Sequence, residues 1–292
     1  MSKYPFVSSL IVFATVGCNP PPDAPADLEN LSEYIFAHMG DEDTTELEAG
    51  LLNLRLWLET DENLASTLEG YAVNNLKDES VNSLDDVDRS IRDSLYGAAV
   101  AYEYEHSMAE LKQTLFIDDW SAVSDGTYGC YERIYDDSSQ PNCLMDSSCE
   151  QLSYVTTSAS SWAGVVDVVS VSFGEVREID IDGEKMVVQR TWLEGPSDTS
   201  GIFGDQVELY AQFFVNIMIP SSSGNVLRTT ATWMDVQIGE LENLDYFKTL
   251  MVNTMAGQNQ IVIDWIDGEQ DAEGSCVCSE FDYEEKECPD EE

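Results

Sequence analysis

Seven cysteines are the residues of this sequence whose type and spacing most directly predict chemistry. Cys18 stands alone near the start, and the other six form one group in the middle of the chain and one near its end: Cys130, Cys143 and Cys149, then Cys276, Cys278 and Cys288. In an oxidising compartment an even set of thiols predicts disulfides. If all six pair within the chain, at least one bridge joins the two groups and ties the tail to the middle. A bridge from Cys276 to Cys278 would close a very small, strained ring, so these two are expected to take different partners.

The segment before Cys18 has the pattern of an export signal. Lys3 gives it a positive start, residues 7–16 are mostly apolar, and Gly17 is the small residue before a cleavage point. This combination predicts a secretory signal peptide over residues 1–17. The apolar run is shorter than the roughly 20 residues that a membrane-spanning helix needs.

Val16-Gly17-Cys18 resembles the lipobox of bacterial lipoprotein signals, in which a small residue precedes a cysteine that becomes diacylated and N-terminal. The resemblance implies that Cys18 is the lipidation site and that the chain is anchored in the cell envelope. Thr15 departs from the pattern, which usually carries Leu there. Asn19 is not the Asp that favours inner-membrane retention, so the outer membrane is expected. The proline-rich residues 18–26 then read as an extended tether. The alternative is an ordinary cleaved signal and a free secreted product.

The charge balance is strongly acidic, with 57 acidic and 13 basic residues and a formal net charge of -44. Nucleic acid is excluded as a partner, because phosphate binding needs clustered Lys and Arg. We interpret the acidity as a solvated surface that keeps an exported protein soluble. Binding of cations or of basic partners is the alternative interpretation.

Catalysis and cofactor binding have few residues to build on. His38 and His106 are the only histidines and neither is near a cysteine in the sequence, which argues against a zinc site. The sequence has no Gly-x-Ser-x-Gly, His-Glu-x-x-His or glycine-rich phosphate-loop motif. We therefore expect a non-enzymatic protein without a metal or a cofactor. Hydrolytic activity is an alternative, with His106 as its best candidate base.

Two periodicities divide the rest of the chain. Up to about residue 117 apolar residues recur at helical spacing, as over Leu47–Leu58 and in a stripe from Val87 and Ile91 to Ala98 and Tyr102. From about residue 154 the period is two, which predicts five strands over residues 162–173, 175–181, 185–193, 206–219 and 226–238. A final amphipathic helix is predicted over residues 243–267, with Gly268 as its cap.

These elements predict an α+β fold, in which N-terminal helices precede a curved antiparallel β-sheet that grips a long C-terminal helix. The apolar residues from Val207 to Ile219 are expected on one face of the sheet, under that helix. The order of elements resembles START-like and polyketide-cyclase-like helix-grip proteins, mainly through the tryptophan-bearing strand and helix over residues 229–266. The resemblance implies a first strand before the meander, sought within residues 120–135. It also implies an apolar cavity between sheet and helix for a lipid or polycyclic ligand.

Four residues in the predicted strands are candidates for binding such a ligand: Arg190, Trp192, Phe213 and Trp233. The cationic side chain could pair with a ligand carboxylate or phosphate, and the aromatic rings could line an apolar pocket. The alternatives are that the arginine pairs with a neighbouring carboxylate such as Glu175, Glu194 or Asp235 on the solvated face of the sheet, and that the rings form ordinary core.

The sequence as a whole predicts five segments: a signal peptide (1–17), a tether (18–26), a helical region (27–117), a sheet with a C-terminal helix (118–268) and an acidic cysteine-containing tail (269–292). The predicted function is that of an envelope lipoprotein that binds an apolar ligand between the sheet and the last helix. The alternative is a structural or protein-interaction module that presents its acidic surface to a partner. The expected partners are a membrane, through the lipid anchor, and an apolar small molecule.

Overall fold

The computed structural model describes residues 24–81, 84, 95–117, 120–123, 128–137, 140–162, 166–193, 195–200, 207–238, 244–268 and 278. The predicted signal peptide, the predicted lipidation site Cys18 and most of the predicted tether and tail therefore lie outside the described residues. The helices are α1 (Leu28–His38), α2 (Thr45–Leu58), α3 (Asp61–Ser66), α4 (Asp78–Val81), α5 (Met108–Thr114), α6 (Trp120–Val123), α7 (Gln140–Met145) and α8 (Leu244–Ile266). The strands are β1 (Tyr71–Val73), β2 (Tyr96–Tyr104), β3 (Tyr128–Tyr135), β4 (Gln151–Trp162), β5 (Val166–Ile181), β6 (Glu184–Leu193), β7 (Asp198–Ser200), β8 (Val207–Pro220) and β9 (Val226–Ile238).

All the strands belong to one antiparallel sheet in the order β1-β2-β9-β8-β6-β5-β4-β3, with β7 paired to β5. The β5–β6 hairpin turns at Asp182 and Gly183, which both have positive φ values of 56° and 88°. Such a left-handed pair matches the right-handed twist of the two strands that it joins. The predicted fold class, α+β with a large antiparallel sheet and a long C-terminal helix, is confirmed.

The N-terminal helices cover one face of this sheet. Buried apolar residues recur at helical spacing in α1 and α2, and they share one core cluster with alternate residues of β8 from Ala211 to Ile219. Phe36 in α1 packs edge-on against Phe213, with ring centroids 6.0 Å apart, and against Trp233 at 5.7 Å. The expectation that the final helix covers this apolar face is wrong, because α1 and α2 bury it.

Helix α8 lies on the opposite face. Met251 and Met255 of α8 form a separate cluster with Ala98 and Val100 of β2, whose alternate neighbours belong to the first cluster. Gly268 follows the helix with a φ of 70°, and its N–H donates to the carbonyl of Trp265 at 3.2 Å. The prediction of a final helix that ends at a glycine cap is therefore confirmed to within a residue at each end. The sheet has helices on both faces.

Strand β2 corrects the helical stripe predicted through Ala98 and Tyr102. Those residues lie in a strand, and the region 27–117 contains both β1 and β2 rather than helices alone. Residues 98–101 are all buried, because both faces of β2 are covered. A strand buried on both faces has no polar alternation, so its apolar residues can be taken for a helix. Val87 and Ile91 lie outside the described residues.

Strand β8 corrects the expectation that its apolar residues share one face. The pairing with β9 shifts between Leu209 and Ala211, so Tyr210 is the extra residue of a β-bulge. Before the bulge, Val207 and Leu209 cluster with residues of the α8 side of the sheet. After the bulge, the residues from Ala211 onward face the N-terminal helices. One inserted residue thus moves an apolar run from one face to the other.

The strand boundaries differ from the predictions at the start of the meander. The structure has one long strand, β5, where two were predicted, and β4 begins eleven residues before the predicted residue 162. The strand within residues 120–135 exists as β3, but the strand that precedes the meander is β2, before α5 and α6. The predictions for β6, β8 and β9 are confirmed to within a residue.

Two disulfides lie within the described residues. Cys143 pairs with Cys149 beside α7, and Cys130 in β3 pairs with Cys278 in the tail. The second bridge joins the two cysteine groups across 148 residues of sequence. Cys130 and Cys278 cluster with Ala159, so the tail is held to the sheet at its β3 edge.

Candidate ligand cavity

A cavity of about 470 Å³ lies between the sheet and α8, on the face opposite the N-terminal helices. Strands β3, β4, β5, β6, β8 and β9 supply its floor, and α5, α6 and α8 supply its sides. Residues that alternate along the strands line the floor: Tyr131, Arg133, Tyr154, Thr156, Ser158, Ser160, Val168, Ser170, Ser172, Gln189, Thr191, Leu193, Leu209, Gln212, Phe214, Asn216, Arg228, Thr232 and Met234. The side from α8 includes Met251, Met255, Gly257, Gln258 and Ile261.

The described lining contains two positive charges and no negative one. Arg133 and Arg228 are its charged side chains, and the lining residues of the described chain include no Asp, Glu, Lys or His. Most of its polar groups are hydroxyls and amides. An uncharged polar surface of this kind is unusual in a chain with 57 acidic residues.

A chain of polar side chains crosses the cavity floor from strand to strand. Gln189 Nε2 donates to the Tyr154 hydroxyl at 2.6 Å, and Asn216 Nδ2 donates to Gln189 Oε1 at 3.4 Å. Arg228 Nε donates to Asn216 Oδ1 at 2.9 Å, and its Nη1 lies 3.4 Å from the Tyr104 hydroxyl. These contacts connect β4, β6, β8, β9 and β2, and they fix the positions of groups that would otherwise be costly to bury.

Gly174 of β5 allows this chain to cross the strand between β4 and β6. A Cβ atom at position 174 would lie 2.1 Å from Tyr154 Cζ and 2.5 Å from the Tyr154 hydroxyl. The Tyr154 ring therefore lies directly over the glycine and reaches Gln189 beyond it. No other residue type leaves room for the ring.

Arg133 stands at the β3 end of the polar chain. Its guanidinium carbon lies 4.4 Å from the centroid of the Tyr154 ring, and its Nη1 and Nη2 donate to the Leu115 carbonyl and the Tyr131 hydroxyl. Burial raises the pKa of Tyr154 to about 12, against the opposing effect of Arg133, so the hydroxyl stays neutral at physiological pH. Arg133 Nε and the hydroxyl of Thr156, its partner across the strands, are buried with no hydrogen-bond partner in the described structure.

Arg133 also lines a second, more open concavity of about 510 Å³ on the side of α7, with Phe116, Pro141 and Met145. The guanidinium is thus shared by the inner cavity and a surface depression. The inner cavity has the larger and more continuous apolar lining, so we treat it as the candidate site.

Arg228 stands at the other end of the polar chain and is 8% exposed. It forms no ion pair with a carboxylate of the described residues, and its Nη2 group has no acceptor among them. Burial raises the pKa of the adjacent Tyr104, and Arg228 acts in the opposite direction. A buried guanidinium held by neutral groups keeps its charge and remains available to an anion.

Three of the four predicted ligand residues lie on the wrong face. Arg190, Phe213 and Trp233 are buried under α1 and α2, and Trp233 Nε1 donates to the carbonyl of Asn74 at 2.8 Å. Trp192 belongs to the same cluster but also reaches the cavity lining at the end of β6, where it stacks on Phe173. Phe213 and Trp233 are therefore ordinary core residues, which was the alternative interpretation of these rings.

Arg190 pairs with a carboxylate, as its alternative interpretation proposed. Its Nε lies 2.8 Å from Glu175 Oε2, and its Nη1 donates to the Phe36 carbonyl at 3.1 Å. The neighbouring Arg177 donates to the carbonyls of Met39 and Asp41. Both arginines thus bind carbonyls at the C-terminal end of α1, where the helix dipole favours a positive charge.

Neither histidine lines the cavity. His38 Nδ1 lies 2.7 Å from Asp41 Oδ2 and 2.9 Å from Glu46 Oε2 on the surface, and these three donors are the candidate metal group among the described residues. The Nδ1 atom of His38 already contacts two carboxylates there. His106 Nε2 lies 3.1 Å from Asp267 Oδ1.

The sequence contains a signal for the cavity that the periodicity of apolar residues does not reveal. Along β4, β5 and β6 one face carries Ser, Thr and Gln but hardly any acidic residue, although one residue in five of the chain is acidic. A solvent-exposed face in this protein would be expected to share that acidity. A face with uncharged polar residues but hardly any acidic ones is therefore expected to be covered and only partly solvated.

The fold and the site define an α+β protein with a cavity between an antiparallel sheet and its C-terminal helix. No protein-family profile matches the chain, and no curated protein matches it. Among solved structures, it is similar to a fragment of a STAR-related lipid transfer protein from Xanthomonas axonopodis, with 9% identity and a TM-score of 0.37 over 66% of this chain and 92% of that one. It is also similar to the lipid transfer and protein localization domain of human StarD13, with 10% identity and a TM-score of 0.34 over 69% and 90%. Ara h 8.0201 has 11% identity and a TM-score of 0.33 over 60% and 99%.

Proposed function

We propose that this protein is a non-enzymatic lipoprotein of the cell envelope that binds an apolar or amphipathic small molecule between its sheet and α8. The cavity of about 470 Å³ carries the proposal, because a volume of this size is typical of small-molecule sites. Its walls combine methionine, leucine and aromatic side chains with a few fixed polar groups, which is the usual composition of such a site.

The surface supports ligand binding over the alternative of a protein-interaction module. That alternative calls for a large exposed apolar patch on the helical half of the protein. Among the described residues the exposed large apolar side chains are Leu52, Leu56, Leu68 and Ile134. Leu52 and Leu56 neighbour each other on α2, but Ile134 lies at the other edge of the sheet, so the four do not form one patch.

The absence of catalysis is part of the proposal. A hydrolase would place a base and a nucleophile in the cavity, and in the described lining we find neither a histidine nor a carboxylate. His106 contacts Asp267 outside it. His106→Ala should therefore leave ligand binding unchanged.

The anchor at Cys18 is the other part of the proposal. Asn53 Nδ2 donates to the carbonyls of Ala24 and Pro25, so the C-terminal part of the tether is held against α2. Five residues, 19–23, then separate Cys18 from the fixed end of the tether at Ala24. No described helix has both the length and the apolar character needed to cross a bilayer. The proposed attachment is through acyl chains on Cys18, in the outer membrane.

Two substitutions on adjacent residues of β5 test the binding site. Ser172→Trp places an indole inside the cavity, whereas Val171→Trp adds the same group on the opposite face. Titration of the delipidated protein with the neutral dye Nile red should give saturable binding for the wild type and for Val171→Trp. Ser172→Trp should weaken it by about tenfold or more, because the ring occupies the space that the dye needs. Equal binding by the two variants, or no saturable binding by the wild type, would refute the proposed site.

The anchor is tested separately in the native host. Mass spectrometry of the membrane-extracted protein should give the acylated mass of a chain that begins at Cys18. Cys18→Ser should abolish the acylation and release the protein from the membrane fraction. Recovery of uncut, unacylated wild-type protein would contradict the anchor but would leave the cavity untouched.

A further inference from the structure

We propose that the ligand carries an anionic group, a carboxylate or a phosphate, and that Arg228 binds this group at one end of the cavity. This inference rests on the proposed function, since it specifies the ligand of the same site. The apolar body of the ligand extends along the strands to the other end of the cavity, so the ligand is an anionic amphiphile.

The basic side chains that line the cavity have no carboxylate partner among the described residues. In the described structure Arg55, Lys77, Lys112, Lys185 and Arg190 each form an ion pair with a carboxylate. Arg133 and Arg228 line the cavity without such a pair, although acidic residues outnumber basic ones by 57 to 13. An unpaired charge is costly to bury, and a ligand anion would supply the missing counter-charge.

Neighbouring side chains fix the position of the Arg228 guanidinium. Its Nε and Nη1 are directed by Asn216 and Tyr104, and the Nη2 group has no acceptor among the described residues. The guanidinium is therefore fixed in place with donors to spare, as a site for a carboxylate or a phosphate requires. The hydroxyl of Thr156, which lines the same cavity and is 6% exposed, is also without a partner in the described structure.

The cavity floor changes from polar to apolar along the strands. At one end the floor is polar, with Gln189, Asn216 and Arg228 on adjacent strands. At the other end of those strands it is apolar, with Leu193, Leu209 and Met234 in one cluster. Arg228 and Met234 are six residues apart on β9, which corresponds to roughly 20 Å of strand. This gradient orients an amphiphile with its charge at Arg228 and its chain toward Met234.

The test uses chain-matched compounds that displace Nile red from the delipidated protein below their micelle concentrations. The compounds are dodecanoic acid, dodecyl phosphate, dodecan-1-ol and dodecyltrimethylammonium. The wild type should bind the acid or the phosphate at least about tenfold more tightly than the alcohol, since a charge-assisted hydrogen bond is absent from the neutral compound. The cationic chain should bind most weakly. Comparison of the acid with the phosphate identifies which anion the site prefers.

Substitution of Arg228 assigns the selectivity to its guanidinium. Arg228→Gln should remove the advantage of the anionic chains and leave the affinity for dodecanol within about threefold of the wild type. Arg228→Lys, which keeps the charge, should retain part of the advantage and serves if the glutamine variant does not fold.

Equal affinity of the wild type for acid and alcohol, or preference for the cationic chain, would overturn the inference while the proposed function stands. Unchanged selectivity in both Arg228 variants would also overturn it. Failure of every chain and of the dye itself to bind would instead refute the proposed function.

Discussion

Gly174→Ala is the substitution that tests the arrangement of the cavity floor most sharply. Alanine usually stabilises a strand relative to glycine, by roughly 0.5–1 kcal/mol, because it loses less conformational freedom on folding. Here the new methyl group would lie 2.1 Å from Tyr154 Cζ, whereas ordinary contacts begin at 3.4 Å. The ring must therefore move by more than 1 Å away from β5, and its hydrogen bond with Gln189 is weakened.

We expect Gly174→Ala to destabilise the protein by about 2 kcal/mol, within the 1–3 kcal/mol typical of overpacked cores. For a chain of this size that corresponds to a fall in melting temperature of roughly 4–8 °C. Gly195→Ala is the matched control, because a Cβ at position 195 meets no atom within 4 Å. It should leave the melting temperature nearly unchanged.

A double-mutant cycle with Tyr154→Ala separates this clash from a general effect of the substitution. Once the ring is removed, Gly174→Ala should be neutral or stabilising, so the coupling energy measured by urea unfolding should be about 2 kcal/mol or more. If Gly174→Ala has the same effect in both backgrounds, the tyrosine ring does not lie over Gly174. The hydrogen-bonded row of polar side chains that we describe on the cavity floor would then be wrong, because it depends on this arrangement.

Four further predictions concern other parts of the molecule. Gly257→Ala should raise stability by about 0.5–1 kcal/mol in thermal unfolding, because it removes a glycine from α8 and its methyl group meets no atom within 4 Å. Burial opposes ionisation of Glu178, but hydrogen bonds from Lys112 and Lys185 outweigh it and lower its pKa below 4.5. Glu178→Gln should therefore destabilise the protein at pH 7, and the gap in urea unfolding should narrow as the pH falls through and below 4.5. Added salt should raise the association rate of dodecanoate in stopped-flow measurements, because it screens repulsion by the net charge of -44. Peptide mapping without reduction should show Cys276 joined to Cys288, the two cysteines other than Cys18 that the described disulfides leave.

The elements that could be predicted from the sequence are those with regularly spaced apolar residues or with turn residues at their ends. Helix α2 has leucines at helical spacing on one side, and this predicted stripe is buried as expected. Strands β6 and β9 are bounded by turns, and the Asp182–Gly183 turn fixes the hairpin register. In each case the spacing of the apolar residues or the flanking turn residues provide the signal.

The elements that were mispredicted are covered on both sides or interrupted by a bulge. In β2 the run from Ala98 to Ala101 is fully buried, so the sequence has no polar positions to reveal a period of two. In β8 the extra residue Tyr210 reverses the faces within a strand that looks regular in sequence. Both features depend on partners that are distant in the chain, and no local pattern contains them.

The same physics explains why the sequence pattern around Arg190 is misleading. Arg190 alternates with Met186, Val188 and Trp192, so it shares a face with apolar residues, and this pattern predicts a charge inside an apolar cavity. That face is the packed core, where the charge is tolerated only because Glu175 and the end of α1 neutralise it.

Arg228 alternates with threonines, opposite the amide of Asn216, and such a face resembles a solvated surface. In a chain this acidic, a solvated face would be expected to surround an arginine with carboxylates, as it does for Arg55, which pairs with Glu59 and Glu184. Arg228 instead has only neutral partners among the described residues. A charged residue in the sequence is therefore a weak indicator of a binding site. A charged side chain that has no oppositely charged partner nearby in the structure is a better one. The two faces of the sheet therefore differ: on one, Glu175 neutralises Arg190 within a packed core, and on the other, Arg228 has a positive charge that the proposed ligand would neutralise.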